Sequence, residues 1–129
     1  MLRVLAVDDN ADAAASMALL LRAWGHDARH ATSGEVALEL APAFLPQVAL
    51  LDMLMPEMDG CELARRLRAL PGLERLVLVA ITGLGSGAEF TDDGEVIFLF
   101  ALLKPVEPAH LKEVLAVCSA LAGDSSTGR

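Results

Sequence analysis

Cysteine is scarce in this chain. The two present, Cys61 and Cys118, lie far apart and outside any CxxC or Cys/His spacing, which excludes a disulfide framework and a zinc site. Reduced thiols of this kind fit a reducing cytoplasm, the expected location. Long apolar runs are also missing. The longest, such as Leu76–Ile81 and Val96–Leu103, are too short to span a bilayer, and no signal-peptide pattern opens the chain, so no membrane association by the chain itself is expected. Basic residues are few: 10 Lys and Arg against 18 Asp and Glu leave a net charge of −8, which argues against direct nucleic-acid binding through clustered cations. Protein partners are expected instead.

What is present is apolar. With 54% hydrophobic residues and a positive mean hydropathy, 129 residues can bury a core and fold as one domain. That domain is expected over 1–123, with 124–129 as a disordered polar tail. The few polar residues after it are not expected to form an effector domain, so the chain reads as a single-domain regulator or a segment of a larger protein.

Short apolar runs alternate with helical periodicity. Leu2–Val7 has strand length and ends in Asp8-Asp9-Asn10; Met17, Leu20, Leu21 and Trp24 then recur at helical spacing before Gly25. Asp27–Ala31 is a weaker strand. Ser33 would cap a helix carrying Val36, Leu40 and Phe44 on one face and ended by Pro42 and Pro46. Val48–Leu51 is a buried strand terminating at Asp52. A loop containing Pro56 leads to Asp59, which would cap a helix with Leu63, Leu67 and Leu70 inward and Arg65, Arg66 and Arg68 outward. Leu76–Ile81 is the strongest parallel-strand signal and ends at Thr82-Gly83. From Ser86 to Glu95 the helical pattern fades among Gly85, Gly87 and Gly94, so a fourth helix there should be short or irregular. The run ending Ala101-Leu102-Leu103 is the fifth strand and enters Lys104-Pro105; Pro108 then opens a helix with Leu111, Val114, Leu115, Cys118 and Leu121 inward.

This alternation implies an α/β fold: a doubly wound, five-stranded parallel sheet with helices on both faces. Ligands bind such sheets at the carboxyl ends of the strands. Asp8 and Asp9, Asp52, Thr82 and Lys104 all fall on that edge. Singly, each has an ordinary explanation: a helix cap, a turn residue, a strand threonine, a surface lysine. Jointly they describe a site. Three neighbouring carboxylates repel unless a cation neutralises them, and partly open oxygen ligands suit Mg²⁺. Lys104 can bind a phosphoryl oxygen and offset charge developing in transfer, and Thr82 can donate its hydroxyl.

The blocks Val7-Asp8-Asp9-Asn10, Leu51-Asp52-Met53, Met55-Pro56, Met58-Asp59-Gly60, Ile81-Thr82-Gly83 and Leu103-Lys104-Pro105-Val106 resemble the signature of response-regulator receiver domains, over nearly the whole chain. The wording from the first helix to the fourth strand most resembles receivers attached to hybrid histidine kinases. The resemblance implies the flavodoxin-like strand order 2-1-3-4-5 and a two-component phosphorelay role. Asp52 would take a phosphoryl group from a phosphohistidine of a histidine kinase or histidine phosphotransfer protein. Asp9, Asp52 and the backbone carbonyl of Leu54 would ligate Mg²⁺, with Asp8 acting through a metal-bound water. Lys104, Thr82 and the backbone N–H groups of Met53 and Gly83 would contact phosphoryl oxygens. Lys104-Pro105 matches a cis peptide, and phosphorylation would draw Thr82 inward and change partner affinity.

Two departures stand out. The position where the family carries an aromatic switch residue is Ala101, with Phe98 and Phe100 nearby read as packing residues, so the switch and a homodimer through the fourth-helix, fifth-strand and fifth-helix face are left open. Leu54 and Leu84, two residues beyond Asp52 and Thr82, stand where the resemblance implies that an attacking water is bordered; neither can orient it by hydrogen bonding, so self-dephosphorylation should be slow. Apart from catalysing its own phosphorylation and this slow dephosphorylation, the chain is expected to be a signalling domain and no enzyme. A haloacid-dehalogenase-like phosphatase needs a second acid where Leu54 stands, and flavin binding needs a phosphate loop where Asp8-Asp9-Asn10 would repel phosphate. The remaining alternative is a degenerate receiver that binds partners without phosphorylation. His26, His30 and His110 are scattered and receive no catalytic role.

Overall fold

The computed structural model describes residues 1–83, 91–92, 95–96 and 98–122. Five strands, β1 (Arg3–Val7), β2 (Asp27–Ala31), β3 (Val48–Asp52), β4 (Val77–Thr82) and β7 (Phe100–Leu103), form one parallel sheet in the order β2-β1-β3-β4-β7. Between β4 and β7, the two-residue strands β5 (Thr91–Asp92) and β6 (Glu95–Val96) pair antiparallel. The expected short or irregular fourth helix over 86–98 falls mostly outside the described residues, as does the polar tail over 124–129.

Helices α1 (Ala11–Ala23) and α4 (Pro108–Leu121) contribute to the core on one face of the sheet, while α2 (Gly34–Phe44) and α3 (Gly60–Arg68) contribute to that on the other. Side-chain alternation divides each strand between the two cores. Leu5, Val7, Ala49, Leu51, Leu78 and Ala80 pack toward Phe44, Leu63 and Leu67; Val4, Val48, Leu50, Val79 and Ile81 pack toward Leu21, Leu111 and Leu115. Both faces of β3 are therefore dry, and all five of its residues are buried.

The helix starts are as expected for Ser33 and Asp59, which accept hydrogen bonds from the N–H groups of Val36 at 3.1 Å and Glu62 at 2.8 Å. Other details differ. α2 runs through Pro42 to Phe44 and closes on left-handed Leu45, because tertiary packing of Ala41 and Phe44 outweighs the N–H that Pro42 cannot supply. Its buried face is Ala37, Ala41 and Phe44; Val36 is exposed. In α1 the fully inward residues are Ala14, Ala18 and Leu21, with Met17, Leu20 and Trp24 only partly covered. Alanines occupy these places because they let a helix lie close on the sheet. Arg68 does not point outward: it folds back to donate to the carbonyl of Leu76 at 2.8 Å. Phe98 and Phe100 do pack, on opposite faces of the sheet, and Ala101 is exposed.

Candidate functional site

Register brings the polar strand ends together. Val7 lies beside Leu51 and Asp52 beside Ile81, while Thr82 lies beside Leu103. The residues one step beyond these pairs, Asp8 and Lys104, therefore share a rim with Asp52 and Thr82. Asp8, Asp9 and Asp52 each offer a carboxylate oxygen, all within 4.8 Å of one another. Lys104 Nζ reaches this group, 3.4 Å from Asp52 Oδ1 and 3.6 Å from Asp8 Oδ2.

Local folding explains each placement. Asn10, and neither Asp8 nor Asp9, is the cap of α1, accepting from the N–H of Ala13 at 3.0 Å. That leaves the two acidic side chains to the site; Asp8 Oδ1 also accepts from the N–H of Asn10 at 2.9 Å. Asp52 is nearly buried at the end of β3, and its Oδ1 accepts from the N–H of Leu54 at 3.1 Å. The Lys104–Pro105 peptide is cis, and the N–H of Lys104 donates to the carbonyl of Thr82 at 2.8 Å.

Burial holds the Asp52 carboxyl above the usual carboxylate range; the Leu54 N–H and the Lys104 ammonium oppose this, and Asp8 and Asp9 add to it. One ammonium against three carboxylates leaves two negative charges uncompensated. An all-oxygen, partly exposed donor set with that excess fits a hard divalent cation such as Mg²⁺.

Thr82 is buried at the end of β4, and Gly83 is exposed beyond it with open space around its Cα. The N–H of Met53 donates to the carbonyl of Ile81 at 3.1 Å, so in this structure it belongs to the sheet ladder; contact with a phosphoryl oxygen would require it to leave Ile81. The Leu54 N–H, which sequence reasoning passed over in favour of its carbonyl, is the one that meets Asp52. An Asx-type turn after a strand-end aspartate was the available signal. The Leu54 side chain projects into solvent, 63% exposed, while Leu84 lies outside the described residues. The histidines lie outside this cluster: His26 Nδ1 accepts from the N–H of Leu2 at 3.0 Å, and His30 and His110 are exposed.

An open, all-parallel sheet with an acidic trio and a lysine at its carboxyl edge defines a signalling domain of the receiver type. The model of the response regulator receiver domain family matches residues 4–116, and the chain belongs to that family. It is 38% identical over 85 residues to the gliding motility regulatory protein of Myxococcus xanthus, covering 66% of this chain and 11% of that protein. It is 34% identical over 116 residues to the DNA-binding response regulator MtrA of Mycobacterium tuberculosis, covering 84% of this chain and 46% of that one. The chain thus spans less than half the length of these curated relatives. Among solved structures, chemotaxis protein CheY4 of Vibrio cholerae superposes with a TM-score of 0.84 at 26% identity, over 92% of this chain and 98% of that one. The protein is a two-component receiver domain with the strand order 2-1-3-4-5 of its sheet. Among the described residues no helix is long and apolar enough to cross a membrane.

Proposed function

We propose that Asp52 is the phosphoryl acceptor of a two-component phosphorelay, receiving the group from a phosphohistidine on a histidine kinase or histidine phosphotransfer protein. The observation that carries this reading is the placement of the Lys104 ammonium 3.4 Å from a nearly buried carboxylate with two further acids beside it. An Asp52 oxygen attacks phosphorus as the bond to the donor's imidazole nitrogen breaks, and Lys104 offsets the charge on the phosphoryl oxygens. The hydrogen bond from Leu54 holds Oδ1 and orients the carboxylate. Thr82, from the next strand, and the Gly83 N–H are further donors for the product. Mg²⁺, held by Asp9, Asp52 and the Leu54 carbonyl with Asp8 acting through water, would neutralise the acids and draw in the phosphoryl oxygens.

The boundaries 1–123 for this domain, its cytoplasmic location and its attachment to a hybrid kinase belong to the same reading. So do a partner-binding switch driven by Thr82 and a homodimer through the face around β7 and α4. Incubation with Mg²⁺ and acetyl phosphate, read by intact mass, should add one phosphoryl group to the wild type and none to Asp52→Asn. Absence of that gain, with no Asp52-dependent spectral response to beryllofluoride, would favour the degenerate, phosphorylation-independent receiver.

A further inference from the structure

The loop between β3 and α3, residues 53–59, is fixed to the core by methionines. Met53 and Met55 are buried in the cluster shared by α2 and α3, and half-buried Met58 packs against it. Two of the thioethers lie on glycines, each the first residue of a helix: Met58 on Gly34 of α2, and Met53 on Gly60 of α3. Neither glycine has a positive φ, so the backbone conformation does not call for glycine at these places. The space does. A Cβ at Gly34 would meet Met58 Sδ at 2.7 Å and then only further side-chain atoms of Met58, a flexible, half-buried group that can swing aside. A Cβ at Gly60 would meet Met53 Sδ at 2.5 Å and also the Met53 Cα at 3.2 Å. Met53 is buried, so its sulfur turns aside less readily in a close-packed core, and the backbone is pressed as well. That backbone belongs to the site: Met53 follows Asp52 directly, its N–H donates to the Ile81 carbonyl at 3.1 Å, and Leu54 beyond it donates to Asp52 Oδ1.

We infer that Gly60 is a positioning residue for phosphoryl transfer, a role that rests on the phosphoacceptor reading of Asp52: by leaving room for Met53 it sets the Asp52 carboxylate against Lys104 and the Leu54 turn. The three atoms nearest to a Cβ at this place all belong to Met53, so Gly60 acts through that residue and touches no reacting group. A methyl group there pushes Met53 away from α3, and Asp52 and Leu54 move with it. The 3.4 Å approach of Lys104 Nζ to Asp52 Oδ1 and the 3.1 Å hydrogen bond from the Leu54 N–H are both disturbed. Transfer depends steeply on such placement, because the acceptor oxygen and the charge beside it must already be aligned when the phosphoryl group arrives. Gly34 has no such effect, since the thioether it accommodates lies at the far end of the loop and yields without moving backbone.

The test follows phosphorylation by acetyl phosphate at saturating Mg²⁺, read by intact mass, in the wild type, Gly34→Ala, Gly60→Ala, Met53→Ala and the double variant Gly60→Ala/Met53→Ala. Thermal melts establish the folded fraction of each. Folded Gly60→Ala should be slower than wild type by on the order of tenfold, and Gly34→Ala should stay within about threefold. The double variant should recover the rate of Met53→Ala, because removal of the thioether frees the space that the new methyl group takes. A role in packing alone predicts a lower Tm for Gly60→Ala with an unchanged rate, and that result overturns the inference. So does a double variant as slow as Gly60→Ala, or equal slowing in Gly34→Ala. A Gly60→Ala chain that does not fold while the double variant folds makes the space a requirement of the fold and overturns it too. Each of these outcomes leaves Asp52 as the acceptor when the wild type gains its phosphoryl group and Asp52→Asn does not. A wild type that gains none, and shows no beryllofluoride response, removes both readings.

Discussion

The ammonium of Lys104 stands 3.4 Å from Oδ1 of Asp52, although the two residues come from strands that are not neighbours in the sheet. β4 lies between them, and the link is made across its end by the hydrogen bond from the Lys104 N–H to the Thr82 carbonyl. Lys104 is thus held by backbone geometry as well as by charge. Replacing it with methionine should slow phosphorylation of Asp52 by on the order of a hundredfold or more, as loss of a positioned charge donor does elsewhere. Stopped-flow phosphorylation with acetyl phosphate checks this; a rate within threefold of wild type would remove Lys104 from the chemistry.

Asp52 is disfavoured as an anion by its burial and by its acidic neighbours. Its folded-state pKa is raised, so the metal-free fold loses stability as pH rises from the ordinary aspartate range through that higher value. Asp52→Asn should therefore raise Tm by a few degrees in chelator, the shift expected of about 1 kcal/mol in a domain of this size. Mg²⁺ should stabilise the wild type markedly more than the variant. Calorimetry at neutral pH, with and without Mg²⁺, decides it, and an unchanged or lower Tm for Asp52→Asn in chelator contradicts the electrostatic account.

Leu54 sets an apolar side chain two residues beyond Asp52, the proposed acceptor, where it offers an attacking water no hydrogen bond. Asparagine or glutamate at this position should shorten the life of the aspartyl phosphate by on the order of tenfold, less than the hundredfold or more of a fully positioned general acid or base because the side chain only orients the water. A time course by intact mass after donor removal measures it. A wild-type half-life of only seconds would show that the leucine imposes no delay.

Cys118 is fully buried among α4 and sheet residues, and burial pushes its thiol up to about 11. The folded protein holds the neutral thiol, so this residue costs stability only as pH climbs above the ordinary thiol value toward 11. Half-buried Cys61 should react first with a thiol reagent at pH 8, and Cys118 only at the rate of unfolding. Mass mapping of partly labelled protein distinguishes the two sites.

Pro42 sits at an exposed position inside α2 and leaves the Leu38 carbonyl without its usual helical donor. Pro42→Ala should stabilise the domain by about 2 kcal/mol, the helix gain less the freedom returned to the unfolded chain. Urea melts measure this. A destabilised variant would mean that Pro42 contributes packing or turn geometry not evident from its exposure.

The residues alone determined where the sheet strands lie along the chain, their polar ends and the acids, threonine and lysine of the candidate site, because buried parallel strands must be unbroken apolar runs and so mark where they stop; the order of the strands in the sheet was implied only by the family resemblance. Asp52, the proposed acceptor, therefore stood out as the polar residue closing the β3 run. Helix interiors were less legible. Periodicity favoured Val36 and Met17, whereas close approach to the sheet selected Ala37, Ala41, Ala14 and Ala18, whose small size carries little hydrophobic signal. Tertiary structure alone decided which N–H meets Asp52, which stays in the ladder, and that α1 leaves a hollow beside Lys104. Those outcomes depend on strand register and on the distance between packed layers, quantities set by every contact of the sheet together and encoded in no single stretch of chain.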